Sequence, residues 1–396
     1  MTWIKPARAA RPIVAAVFSA GFRPFFLLAS SWAAIAVPVW LAAYAHGYGL
    51  RGPLPALFWH GHEMVFGFGM AAVAGFLLTA IPNWTGRLPL RGAPLATLAL
   101  LWLAGRVAIL ASAAIGPLAA ALIDLAFPAA LIAVVARELL AGRNWRNLPM
   151  LVALALLFSG NVMVHLHALD IASVAADGIR LGIATLCMLI ALVGGRIVPS
   201  FTRNWLAKAR VRVPLPAPDG SLDRGALLLT FVALAGWLLA SDATLTSGLL
   251  LAAGLALAAR LARWRGAATV SEPLLFVLHL GYGWLAVGLA LLGLSGLVAA
   301  IPASAALHAL TVGAVGTMTL AVMTRATLGH TGRPLAADGA TVAIYALVTL
   351  AVLLRLVSPF AGVHAVLIAS LSGVAWSAAF ATFALHYGRF LIQEKT

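Results

Sequence analysis

Apolar runs of about 20 residues, separated by short polar turns, make up most of the chain. A helix of about that length crosses the hydrocarbon core of a bilayer. Twelve runs qualify, at about residues 24–45, 58–82, 93–111, 117–136, 148–169, 178–200, 224–241, 243–263, 273–294, 302–325, 340–357 and 361–387. Only a short turn around Asp242 divides the seventh run from the eighth. The pattern predicts an all-α polytopic membrane protein with about twelve transmembrane helices in one bundle.

The composition agrees with a membrane environment. Of 396 residues, 63% are hydrophobic and 9% are charged, whereas soluble domains carry about 25% charged residues. The net charge of +15 comes from basic residues at the ends of apolar runs. Such residues contact lipid headgroups, so they do not predict nucleic-acid binding. The single cysteine, Cys187, excludes an intrachain disulfide, covalent c-type haem attachment and a thiolate-held iron–sulfur cluster.

The basic residues also predict the orientation. If the N-terminus is cytoplasmic, 22 of the 26 lysines and arginines lie in inner segments. Arg51, Arg180 and Arg355 then lie outside, and Arg106 lies within a span. Cytoplasmic loops carry the excess of positive charge, so both termini are predicted to be cytoplasmic in a bacterial inner membrane. The whole chain, 1–396, is expected to form one membrane domain. The polar loop 201–223 would join two six-helix halves, 24–200 and 224–389.

This topology places seven of the ten histidines in one layer near the outer face. They are His46, His60, His62, His165, His167, His308 and His364. The other three, His279, His330 and His386, belong to the inner half. A histidine inside a bilayer is costly unless it has a partner, so convergence at one depth indicates a metal or cofactor site.

The spacing of residues in the second span limits how they can act. His60 and His62 diverge by about 200° around a helix, so they are not expected to hold one ion together. Glu63 can orient a histidine, ligate a metal or relay a proton. In the fifth span, Asn161 and His165 lie one turn apart on the same face.

Two further pairs are candidates. Arg106 and Asp124 lie at nearly equal depth in neighbouring spans, which predicts a buried ion pair; the alternative is that Arg106 binds a haem propionate. His279 and Tyr282 lie one turn apart in the inner half. They can share a ligand or water, or they can simply pack against a neighbouring helix.

Neutral imidazoles in lipid suit several kinds of site. Haem b needs one or two axial histidines and an apolar pocket. Copper accepts imidazole ligands without a thiolate. Zinc remains an alternative, and so does a proton-coupled secondary transporter that uses histidines as relays and broken helices at mid-membrane.

Long motifs carry a resemblance to a known family. Four of them are residues 21–26 (GFRPFF), 59–68 (WHGHEMVFGF), 74–80 (AGFLLTA) and 82–86 (PNWTG). A fifth consists of residues 194–196, Pro199 and residues 201–202. A sixth begins at His308-Ala309 and includes Gly313, Gly316, residues 323–325 and residues 328–333. These segments resemble the NnrS family of denitrification-associated membrane proteins, and the resemblance spans nearly the whole chain.

The resemblance implies a twelve-span protein that contains haem b and copper and acts in nitric oxide handling or nitrosative stress defence. The resemblance and the outer layer together favour cofactor binding by His60, His62, His165 and His308, and Arg106 is the candidate for a haem propionate. The metal ligands are expected among His60, His62, His165, His167, His279 and His308. Catalytic roles are expected for Glu63, as a proton relay within a turn of His60 and His62, and for Tyr282. Which histidines bind haem and which bind copper stays open.

The sequence leaves the mode of action open as well. The protein can be a nitric oxide reductase-like oxidoreductase supplied by quinol or a periplasmic electron donor. It can also be a non-enzymatic metal-binding membrane protein, or the transporter described above. The expected partners are the lipid bilayer and nitric oxide as a small ligand, and the oligomeric state is open.

Overall fold

The computed structural model describes residues 13–47, 49–209 and 213–393. It is 83% helical, and the described residues form no strand. Twelve helices are long and apolar enough to cross a membrane. They are α1 (Phe22–Ala45), α2 (Ala56–Thr85), α3 (Ala93–Leu110), α4 (Pro117–Ala141), α5 (Trp145–Ala168), α6 (Ala175–Ala209), α7 (Ser221–Leu239), α8 (Thr244–Ala262), α9 (Pro273–Leu297), α10 (Ala303–His330), α11 (Gly339–Phe360) and α12 (Gly362–Ile392). The predicted all-α, twelve-span architecture is confirmed.

These runs are helical because a chain in lipid must satisfy its backbone polar groups internally. Glycine ends several of them at positions that need a left-handed backbone. Gly86, for example, follows α2 with φ 69°, and its N–H donates to the carbonyl of Pro82 at 2.9 Å.

Each helix reverses direction relative to the one before it. The face at which α1 begins is called the proximal face below, and the opposite one the distal face. The last helix closes the bundle by packing against the first, where Trp376 Nε1 donates to the carbonyl of Ala33 at 2.9 Å. Which face is cytoplasmic stays a prediction. Several residues that support it lie outside the described residues: Lys5, Arg8, Arg11, Arg210, Arg212 and Lys395.

The loop predicted at 201–223 begins later than expected. Helix α6 continues to Ala209 because the residues after 201 still bury one face of the helix: Thr202 and Leu206 are buried, while Arg203 and Lys208 are exposed. The 35 residues of α6 exceed the length of one span, so its last turns extend beyond the apolar core.

Three spans widen into π-helix in their middle: Glu63–Gly69 in α2, Ile190–Gly194 in α6 and Ala309–Gly316 in α10. Such stretches free backbone carbonyls and are frequent at functional sites. Trp102 Nε1 donates to the carbonyl of Gly67 at 3.0 Å, and Arg260 Nη1 to that of Ala191 at 3.1 Å. All twelve described spans remain continuous, unlike the broken helices expected of the transporter alternative.

Candidate metal and cofactor sites at the distal face

The first two turns of α2 present two histidines to different surroundings. His62 is fully buried in a group of polar side chains, whereas His60 lines an apolar cavity on the other side of the helix. The predicted divergence of the two residues is therefore confirmed. It creates two neighbouring candidate sites, one for each histidine.

The group around His62, called the charge cluster below, draws on four consecutive helices. It comprises His62 and Glu63 of α2, Arg106 of α3, Asp124 of α4, and Asn161 and His165 of α5. Each of these side chains is buried. Trp32 of α1 adds a further donor, from Nε1 to Glu63 Oε2 at 2.6 Å.

Two carboxylates share the guanidinium of Arg106. Its Nη1 donates to Glu63 Oε2 at 2.6 Å, and its Nη2 donates to Asp124 Oδ1. The predicted Arg106–Asp124 pair is confirmed, and Glu63 is a second partner that the sequence did not indicate. A haem propionate would have to compete with both carboxylates for this arginine.

The other oxygen of Asp124 faces two imidazoles. Oδ2 lies 3.2 Å from His62 Nε2 and 2.9 Å from His165 Nε2. Donor atoms bound to one metal at about 2.0–2.1 Å lie about 3.3 Å apart in tetrahedral geometry. The ligand atoms of His62, Asp124 and His165 all lie within 4.8 Å of one another, so these residues can hold a metal ion. Asn161 Oδ1, 2.9 Å from His62 Nε2, adds an oxygen beside them.

The hydrogen bonds of His62 define what its Nε2 can do. Nδ1 lies 3.0 Å from Glu63 Oε1, and a carboxylate only accepts, so Nδ1 carries a proton. Nε2 faces the oxygens of Asp124 and Asn161, and it therefore holds either a second proton or a cation. With neutral imidazoles, the two carboxylates and Arg106 leave the cluster with one excess negative charge. A single bound positive charge balances it, and an unbalanced charge in lipid is costly.

Two glycines allow these groups to approach one another. A Cβ at Gly67 would lie 2.6 Å from Arg106 Nη1 and 2.8 Å from Glu63 Oε2. A Cβ at Gly105 would lie 2.8 Å from Asp124 Oδ1. All three distances are shorter than van der Waals contact permits, so an alanine at either position would force the ion pairs apart.

The site around His60, called the distal cavity below, has a volume of about 360 Å³. Its walls are mostly apolar and include Trp40 and Trp376. Two histidines from separate helices line it, His60 of α2 and His308 of α10, together with Arg180 and Arg355. The two arginines were not assigned to any site from the sequence.

Both histidines of the distal cavity have ring nitrogens free to bind. His308 Nδ1 donates to the carbonyl of Ser304 at 2.6 Å, which leaves Nε2 as an acceptor with no hydrogen-bond partner among the described residues. His60 stacks on Trp40 with ring centroids 4.2 Å apart. Its Nδ1 is buried without a partner.

Comparison with known families covers both sites. A family profile described as NnrS protein matches residues 16–395. The chain belongs to the NnrS family. The match contains every residue of the charge cluster and of the distal cavity, and the resemblance seen in the motifs is confirmed. No curated protein matches the chain.

The remaining predicted site residues of this NnrS family member lie elsewhere. His167 is half-buried, with its ring 5.0 Å from that of Phe58, and it makes no contact with the charge cluster. His364 is exposed at the start of α12, and the side chain of His46 is outside the described residues.

His279 and Tyr282 belong to a separate polar group nearer the proximal face. His279 Nε2 lies 2.8 Å from Thr202 Oγ1, whereas the Tyr282 hydroxyl accepts from Arg260 Nη1 at 2.9 Å. Both rings lie against Trp264. The two residues thus have different partners, and neither reaches the distal sites.

Asp124 is the ligand candidate that sequence reasoning missed, since it was considered only as a partner of Arg106. Its depth, equal to that of the outer histidines, was the available signal. Nothing in the sequence pointed to Trp32, because its contact with Glu63 depends on how α1 packs across α2.

Proposed function

We propose that this NnrS family protein binds haem b in the distal cavity and copper at the charge cluster, and that it acts on nitric oxide there. The observation that carries the proposal is the divergence of His60 and His62. Helix α2 supplies His60 to the apolar distal cavity and His62, two residues later, to the buried charge cluster.

Several features of the distal cavity support haem b as its ligand. Haem requires an axial imidazole in an apolar pocket, and the free Nε2 of His308 and the unpartnered Nδ1 of His60 are candidates. Arg180 and Arg355 supply positive charge for propionates, since guanidinium groups pair well with carboxylates.

Several features of the charge cluster support a copper ion as its ligand. His62, His165 and Asp124 offer two imidazoles and a carboxylate, which suit first-row transition metals. Glu63 accepts from His62 Nδ1 and so keeps Nε2 directed at the ion, as carboxylates beside metal-bound histidines commonly do. The one excess negative charge fits a monovalent copper ion. Copper is preferred over zinc on the family resemblance.

The two sites suit a small uncharged ligand such as nitric oxide. When bound, haem iron and copper supply centres that bind nitric oxide and exchange electrons. The apolar walls of the distal cavity exclude water and admit an uncharged gas from the bilayer. Turnover would also require electrons from quinol or a periplasmic donor, whereas binding alone would not.

Visible spectroscopy with metal analysis of the purified protein tests this proposal. We expect a b-type reduced-minus-oxidised spectrum, bound copper, and a shift of the Soret band when nitric oxide is added. The control is His279→Ala, which removes a buried histidine remote from both sites and should change none of these signals. Purified, folded protein from haem-replete cells that holds neither haem nor copper would overturn the proposal.

A further inference from the structure

A second large cavity lies at the proximal face, at the other end of the bundle from both proposed metal sites. Its volume is about 830 Å³. The final turns of α2 and α10, the start of α5 and the second half of α6 enclose it. Three arginines line this proximal cavity: Arg146 of α5, Arg196 of α6 and Arg325 of α10. Among the described residues, no carboxylate lines it.

The positive charge of the proximal cavity is not balanced by ion pairs. None of the three arginines lies within 4 Å of a carboxylate oxygen of the described residues. Arg325 lies over the ring of Phe201, 4.3 Å from its centroid, and Glu272 acts on it electrostatically without an ion-pair contact. Arg146 and Arg196 are exposed. An anion entering the cavity would therefore meet guanidinium groups free to bind it.

The inner part of the proximal cavity is apolar. Phe26, Phe76 and Leu278 contribute to its walls. A smaller apolar cavity of about 100 Å³ adjoins it. The two share six lining residues: Phe26, Phe76, Met150, Val193, Ile197 and Val322. A ligand that fits both parts is amphipathic, with an anionic group at the rim and an apolar chain inside.

We propose that the proximal cavity binds an anionic phospholipid of the surrounding leaflet. Its phosphate would lie among Arg146, Arg196 and Arg325, and an acyl chain would extend toward the adjoining apolar cavity. Basic pockets between transmembrane helices on the cytoplasmic side bind the headgroups of such lipids. The cavity is also far larger than one phosphate ion requires. This proposal does not depend on the metal sites.

Native mass spectrometry of delipidated protein tests it, with phosphatidylglycerol and phosphatidylcholine added separately. We expect one phosphatidylglycerol to bind per chain in preference to phosphatidylcholine. Arg146→Gln combined with Arg196→Gln should weaken that binding by about tenfold or more. Both side chains are exposed and make no ion pair, so this variant should fold normally. Arg224→Gln removes an exposed arginine at the same face outside the cavity and should leave binding unchanged.

A second variant changes volume and leaves charge intact. Ala326→Trp places a large ring into the cavity, and it should also weaken phosphatidylglycerol binding. Equal binding by wild type and the double arginine variant, or equal binding of the two lipids, would overturn the proposal. So would competition by millimolar inorganic phosphate, which would identify a site for free phosphate. A lower haem content in the double variant would instead identify a second haem site.

Discussion

Arg106→Leu removes the guanidinium that two buried carboxylates share. Glu63 and Asp124 would both lose a cationic partner in lipid, because Arg106 Nη1 pairs with Glu63 and Nη2 with Asp124. Removing one partner of a buried ion pair costs about 3–5 kcal/mol. Native proteins are stable by only about 5–15 kcal/mol. We therefore expect Arg106→Leu to accumulate little folded protein.

Asp124→Leu should be less severe, although it is not mild. Arg106 keeps Glu63 at 2.6 Å, but His62, His165 and Asn161 each lose a hydrogen-bond acceptor. An unsatisfied buried donor costs about 1–3 kcal/mol. Arg106→Leu combined with Asp124→Leu removes one charge of each sign and keeps the net charge of the charge cluster. It should be more stable than the sum of the single losses predicts, by about 1–3 kcal/mol.

Thermal unfolding in detergent, with the monodisperse fraction measured by size exclusion, gives the three stabilities. Arg106→Lys replaces the leucine variant if the latter does not accumulate, because lysine keeps the charge but cannot span both carboxylates. Asp124→Leu combined with Arg263→Leu is the control, since Arg263 pairs with Asp223 in a different network. Those two losses should add within about 0.5 kcal/mol. If the losses of Arg106→Leu and Asp124→Leu also add, the two residues do not stabilise each other and the reasoning is wrong.

Two further predictions follow from the same geometry, and a third follows from the distribution of basic residues. Gly67→Ala should destabilise the protein by about 1–3 kcal/mol, because the new Cβ would lie 2.6 Å from Arg106 Nη1. The control is Gly248→Ala in α8, where open space surrounds the glycine, and this variant should be neutral or slightly stabilising. Equal melting temperatures for the two variants would contradict the prediction. Glu63→Gln should lower copper affinity by about 10–100-fold and leave the haem content unchanged, because the single amide oxygen cannot accept from both His62 Nδ1 and Arg106. A normal copper content with slower nitric oxide consumption would instead favour a proton relay through Glu63. A reporter fused after Thr396 should behave as cytoplasmic, and periplasmic activity of that fusion would reverse the orientation.

Much of the fold follows from local properties of the sequence. Each span is an apolar run, most have glycine, proline or arginine near at least one end, and lipid forces such a run to be helical. The predicted spans differ from the structure only in their boundaries, as in α6, where a buried face continues the helix to Ala209. The depth of a residue also follows from its position in a span, which is why the Arg106–Asp124 pair was predictable.

The composition of each site was less accessible because it depends on rotation and packing. His60 and His62 were expected to diverge, but the sequence does not say which of them faces the apolar cavity. The inclusion of Glu63 in the ion pair depends on a π-helical turn and on the missing side chain of Gly67. His279 lay in the same list of candidates, yet the packing of α9 against α6 gives it Thr202 as its partner.

The proposal assigns His60 and His62 to different cofactors, and the haem and copper contents of four purified variants separate the two assignments. His60→Ala and His308→Ala should each reduce the Soret band and keep copper. His62→Ala and His165→Ala should each lose copper and keep the Soret band, provided that size exclusion shows folded protein. If the first pair keeps wild-type haem, or if the second pair keeps wild-type copper, the assignment of two separate sites is contradicted.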